Sequence, residues 1–160
     1  MPDRILKKDT QPINSQIILV VDDNQGFLSS ICDNLEDEGY QVVQALNGAE
    51  ALEVFNRLTP SLILMDIRMP VMDGFDACQR IRQLSDGYPI PIIFMTAFDE
   101  ESSIEQAFAA GATDYVVKPI RWPVLNARIQ NLLKTQTAEQ RFSALAESAT
   151  DGIITIDQQG

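Results

Sequence analysis

SLILMDIRMPVMDG, residues 61–74, joins four consecutive apolar residues, Leu62 to Met65, directly to a carboxylate, Asp66. An apolar run of this length predicts a strand buried on both faces. The loop after it contains Pro70, and Asp73-Gly74 then opens a helix carrying Phe75, Cys78, Ile81 and Leu84. A charge placed at the carboxyl end of such a strand stands where open α/β sheets put their ligands.

The same punctuation recurs on either side. Upstream, Ile17 to Val21 is a second buried-strand run, and it ends in Asp22-Asp23-Asn24. Phe27, Leu28, Ile31, Cys32 and Leu35 come next at three- and four-residue steps, giving one apolar helical face that Gly39 terminates. Tyr40 to Ala45 predicts an edge strand, because Gln41 and Gln44 interrupt it. Asn47 suits the cap of a helix whose inner residues are Ala51, Leu52, Val54, Phe55 and Leu58.

Downstream, Ile92 to Thr96 is a strand ending in a hydroxyl, and Glu100 to Ala110 is a helix with Ile104, Ala107 and Phe108 facing in. Asp114 to Val117 is a short strand ending in Lys118-Pro119. From Pro123 a last helix carries Leu125, Ile129, Leu132 and Leu133. Strand and helix thus alternate five times. Right-handed crossovers make this a doubly wound, flavodoxin-like, five-stranded parallel sheet with helices on both faces and strand order 2-1-3-4-5.

Residues 1–16 read as a flexible N-terminal tail and 17–133 as the α/β domain. Residues 134–141 read as a polar helical linker, and 142–160 as a helix and strand that begin a second, truncated domain. The chain carries 23 acidic against 12 basic residues, a net charge of −11. That balance disfavours binding to nucleic acid or to an anionic membrane. No signal-peptide core or membrane span is apparent, and the two cysteines, Cys32 and Cys78, fall within helical apolar patterns. A cytoplasmic location is expected. Histidine is absent, which excludes histidine bases, histidine-ligated metals and any phosphohistidine on these residues.

Four strand ends therefore carry polar groups: Asp22-Asp23, Asp66, Thr96 and Lys118. Strands one and three pair in the expected order, which brings three carboxylates together. Two carboxylates ~4 Å apart repel by roughly 4 kcal/mol at a near-surface dielectric. A cluster of three calls for a proton or a cation. Oxygen ligands without imidazole or thiolate favour a hard ion, and Mg²⁺ fits best. A carboxylate beside such an ion is a competent nucleophile toward phosphorus, with an ammonium and a hydroxyl available to the phosphoryl oxygens. Taken singly, each residue has an ordinary explanation: helix-capping acids, a solvated lysine, a β-branched strand residue. Their convergence on one sheet edge is what points to phosphoryl chemistry.

VVDDN at 20–24, LMDIRMPVMDG at 64–74, MTA at 95–97 and DYVVKP at 114–119 closely resemble, in order, the receiver domain of two-component response regulators. The resemblance implies that Asp66 accepts the phosphoryl group and that Asp22, Asp23 and Asp66 bind Mg²⁺ together with the backbone carbonyl of Arg68. It implies a switch made of Thr96 and Tyr115, a phosphate contact from Lys118, and a cis Lys118-Pro119 bond. Ala97 leaves access for a phosphodonor, and Phe98 and Arg68 flank the site. The implied partner is a histidine kinase or histidine phosphotransfer protein. A homodimer through helix four, strand five and helix five, or through the C-terminal helix, is also implied. Residues 142–160 look like the opening of a PAS-like domain, continuing into an output such as a histidine kinase or cyclic-dinucleotide enzyme.

Other classes fit less well. An aspartyl-phosphate phosphatase of the haloacid dehalogenase type needs a second acid two residues after the nucleophile, where this chain has Arg68. A flavin-binding module would meet repulsion from Asp22 and Asp23 at its phosphate loop. A degenerate receiver serving only as an interaction module would not need the full set of acids, hydroxyl and ammonium. The expectation is a self-catalysed phosphoacceptor with slow autodephosphorylation.

Overall fold

A computed structural model describes residues 16–84, 90–97 and 101–135. Strands β1 (Ile17–Val21), β2 (Gln41–Ala45), β3 (Leu62–Asp66), β4 (Ile92–Thr96) and β5 (Asp114–Val117) form one parallel sheet in the order β2-β1-β3-β4-β5. Helices α1 (Gln25–Asp37), α2 (Gly48–Arg57), α3 (Gly74–Leu84) and α4 (Glu101–Ala110) connect them, and α5 covers residues 122–135. The flavodoxin-like order expected from the alternation is present.

The pleat sorts the strand residues into two cores. Ile18, Val20, Leu62, Leu64, Ile93, Met95 and Val116 pack against α1 and α5, through Leu28, Ile31, Leu35, Leu125, Ile129 and Leu133. The alternate residues, Leu19, Val21, Ile63, Met65, Ile92 and Phe94, pack against α2, α3 and α4. Central strands covered on both sides must be apolar at every position, which is why β1, β3 and β4 read as unbroken runs. Strand β2 lies at an edge, and its Gln41 and Gln44 are exposed there.

Local signals set the helix ends. Asn47 Oδ1 accepts the Glu50 N–H at 2.9 Å, and Glu50 Oε1 reaches back to the Leu46 N–H at 2.8 Å. Asp73 caps α3 by accepting the Asp76 N–H at 2.9 Å. Cys32 and Cys78 are free and buried.

Leu84, the last residue of α3, is exposed. One helical face departs from expectation. Phe108 is 46% exposed rather than facing in. Its ring instead meets Tyr115 edge-on, with centroids 5.9 Å apart, while Ala107 and Ala110 occupy the core side of α4. Sequence periodicity also gives no hint of the role of Arg82. Its guanidinium donates to the carbonyls of Gly111 (2.9 Å) and Ile90 (2.6 Å) and to Thr113 Oγ1 (3.3 Å), tying α3 to the end of α4 and the starts of β4 and β5. The first 15 residues, Phe98, most of the expected linker and the PAS-like stretch 142–160 lie outside the described residues.

Candidate functional site

The register assembles the site. Val20 pairs with Leu64 and Val21 with Met65, so the next step along both strands sets Asp22 beside Asp66. Continuing the pleat, Asp22 and Asp66 fall in the row that faces α1 and α5. Lys118 comes two residues after Val116 in that same row, one residue past β5. Thr96 and Tyr115 fall in the opposite row, toward α3 and α4. The sheet edge thus divides the expected residues between its two faces.

Asp22, Asp23 and Asp66 each offer a carboxylate oxygen, and these oxygens lie within 4.8 Å of one another. Asp22 is fully buried: Oδ1 accepts the Asn24 N–H at 2.9 Å, and Oδ2 accepts from Lys118 Nζ at 3.1 Å. Lys118 Nζ also lies 3.4 Å from Asp66 Oδ1, which in turn accepts the Ile67 N–H at 2.9 Å. One ammonium therefore bridges two carboxylates, and Asp23 is left exposed at the rim.

Electrostatics reflects this count. Burial and then the Asp22 charge push Asp66 up from 3.8 to about 6, outweighing Lys118 and the Ile67 amide. Burial alone would lower the Lys118 value, but its bonds and charge interactions with Asp22 and Asp66 hold it above the ordinary range. A site that holds a buried carboxylate beside a second one, so that its ionised form is disfavoured, suits a hard divalent cation, and an all-oxygen donor set fits Mg²⁺.

The loop after Asp66 is held close. Gly74 donates to the Ile67 carbonyl at 2.7 Å. A Cβ on Gly74 would strike the Asp66 carbonyl oxygen and stand 2.7 Å from the Phe94 ring, so only glycine lets α3 start this near the strand end. Val71, in the same loop, is a β-branched residue at φ 71° and is exposed to solvent. Arg68 is exposed in this loop.

Thr96 is buried at the end of β4 and donates a long 3.4 Å bond to the Ala97 carbonyl. The Lys118 N–H donates to the Thr96 carbonyl at 2.8 Å, and the Lys118-Pro119 bond is cis, as expected. One neighbour of the site reads from the sequence only as a core residue: Phe27 is half-buried, and Lys118 Nζ sits 4.7 Å from its ring centroid. Its helical spacing suits a core position, and nothing in the sequence signals its contact with Lys118.

An acidic cluster and a lysine at the carboxyl edge of a 2-1-3-4-5 sheet define a phosphorylation-switch type of α/β domain. Residues 18–130 match the family model of the response regulator receiver domain, and the chain belongs to that family. It is 42% identical over 122 residues to a probable transcriptional regulator, ycf27, of Cyanophora paradoxa, covering 76% of this chain and 50% of that protein. It is 32% identical over 139 residues to the DNA-binding dual master transcriptional regulator RpaA of Synechocystis, covering 87% and 58%. The chain spans about half the length of these curated relatives. Among solved structures, the receiver domain of sensor histidine kinase PA1611 from Pseudomonas aeruginosa, with magnesium coordinated in its active-site cleft, superposes with a TM-score of 0.70. That pair is 34% identical over 76% of this chain and 99% of the other. The family match ends at residue 130 and lends no support to a PAS-like reading of residues 142–160. No helix among the described residues is long and apolar enough to cross a membrane.

Proposed function

We propose that Asp66 is the phosphoacceptor of a signalling switch, and that a histidine kinase or histidine phosphotransfer protein is its donor. The observation that carries this reading is the Lys118 ammonium bridging Asp22 and Asp66 within a three-carboxylate cluster. An Asp66 carboxylate oxygen attacks phosphorus, the bond from phosphorus to the donor's imidazole nitrogen breaks, and the imidazole leaves with that electron pair. Asp22, Asp23 and Asp66, with the Arg68 backbone carbonyl, would hold Mg²⁺. When bound, the ion neutralises charge on the transferring phosphoryl group. Lys118 stands ready to contact the phosphoryl oxygens, and Ala97, small and exposed, leaves the approach open. Slow autodephosphorylation is expected from the lack of a second acid at Arg68.

The two-faced placement suggests how the charge is read out. Asp66 belongs to the α1/α5 row, whereas Thr96 and Tyr115 belong to the α3/α4 row. A new phosphoryl group at the strand end draws the Thr96 hydroxyl and the Lys118 ammonium toward it. Vacating the Thr96 position allows Tyr115 to move inward, off the exposed Phe108 ring. This shifts the population of the α4–β5–α5 face, which serves as a homodimer surface together with the C-terminal helix. We read 17–133 as the receiver, 134–141 as a linker and 142–160 as belonging to an output region. The names of the curated relatives favour a DNA-binding regulator as that output over a PAS-like one. The expected setting is the cytoplasm.

The test is intact mass after incubation with Mg²⁺ and acetyl phosphate. A single phosphoryl adduct is expected on the native chain, absent in Asp66→Asn and absent in chelator. Full labelling of Asp66→Asn would rule out the assigned nucleophile, and labelling in chelator would rule out the metal.

A further inference from the structure

Lys118 has a third neighbour besides its two carboxylates. The Phe27 ring lies under its ammonium, with the centroid 4.7 Å from Nζ, inside the ~6 Å range of cation–π attraction. Phe27 is itself fixed by the turn that carries the acid pair. Its N–H donates to Asn24 Oδ1 at 3.0 Å, and the Asn24 N–H donates to Asp22 Oδ1 at 2.9 Å. Asp22 Oδ2 then accepts from Lys118 Nζ at 3.1 Å. Asp22, Asn24, Phe27 and Lys118 thus form a closed circuit joining the start of α1 to the end of β5. On its open side, Phe27 and Lys118 line a cavity of about 330 Å³ with Pro119, Ile120 and Trp122. Its space would admit the lysine head and water if the ring did not hold the ammonium at the carboxylates.

We propose that Phe27 is a positioning residue for phosphoryl transfer: its ring face keeps the Lys118 ammonium between Asp22 and Asp66 and out of the adjoining cavity. This rests on the reading of Asp66 as phosphoacceptor. A ring that served only to fill space would be replaceable by any side chain of similar volume. A ring that acts through its negative face would not, since fluorination removes that face at nearly constant shape.

The full chain is therefore prepared with di- and pentafluorophenylalanine at position 27 by stop-codon suppression, beside Phe27→Tyr and Phe27→Leu. Two quantities are read. One is the rate of Mg²⁺-dependent uptake from acetyl phosphate. The other, in metal-free protein, is the NMR signal of the Lys118 ammonium, which broadens as exchange with water quickens. Uptake should fall stepwise with fluorination, by roughly threefold to tenfold at the pentafluoro ring. Phe27→Leu should match that loss and Phe27→Tyr should stay near native, with the ammonium signal broadening in the same order. Equal uptake across the series, or an ammonium signal indifferent to fluorination, overturns the inference while leaving the phosphoacceptor reading intact. A native chain that takes up no phosphoryl group refutes that reading, and this inference falls with it.

Discussion

Replacing Asp66 by asparagine should stabilise the metal-free protein at neutral pH. Asp66 has its value raised from 3.8 to about 6 by burial and by Asp22. A carboxyl group with a raised folded value binds more protons folded than unfolded between those limits, so stability falls as pH rises through that window. The interval from 3.8 to about 6 corresponds to roughly 3 kcal/mol at pH 7. The side chain is only 13% exposed, so solvent screening removes little of it. An asparagine there would keep the shape and omit the charge. In chelator at pH 7, Asp66→Asn is expected to unfold up to ~3 kcal/mol later in urea, or about 10 °C higher on heating. Near pH 3, below both values, the carboxyl is largely neutral folded and unfolded, so the advantage should shrink toward zero, with most of it already gone at pH 4. Millimolar Mg²⁺ should narrow the gap at pH 7 by stabilising the native chain more. Equal stability of the two proteins at pH 7, or an advantage that is the same at pH 4, would refute the charge-crowding account.

Three further substitutions probe the scaffold. Val71→Gly should raise stability by about 0.5–1 kcal/mol in urea melts, since a β-branched residue at φ 71° is strained and its exposed side chain contributes little packing. Gly74→Ala should destabilise by ~1–3 kcal/mol and slow phosphoryl uptake, because the new methyl group would press on the Asp66 carbonyl and the Phe94 ring. Arg82→Met keeps the apolar stem but strips donors from the Ile90 and Gly111 carbonyls. A loss of about 2–3 kcal/mol is expected, read as a lower urea midpoint.

The strands and helices were legible because each depends on neighbours a few residues away. Leu62 to Met65 declares a strand covered on both faces, Asn47 and Asp73 declare helix starts, and the alternation of the two limits the sheet to a few orders. The polar strand ends, Asp22-Asp23, Asp66, Thr96 and Lys118, were equally visible because they interrupt apolar runs. Periodicity misplaced Phe108 because it marks the apolar stripe of a helix, not which of its side chains the core covers. The Phe108 ring lies beside Tyr115 and is nearly half exposed.

The sequence by itself determined the elements, their order and the residue types delivered to the carboxyl edge. Those are consequences of local periodicity and of the crossover rule. The tertiary structure decided which of these residues meet. The Lys118–Asp22 bond closes over 96 residues of chain, and no local pattern encodes that distance. The pleat puts Asp22, Asp66 and Lys118 on one face and Thr96 and Tyr115 on the other. Only packing shows that Asp66 is crowded by Asp22 behind a single ammonium, that Arg82 binds three segments together, and that Phe27 faces Lys118 as well as the core. Each of these depends on side chains brought within a few ångströms by strands far apart in sequence, where burial and charge act through space and not along the chain.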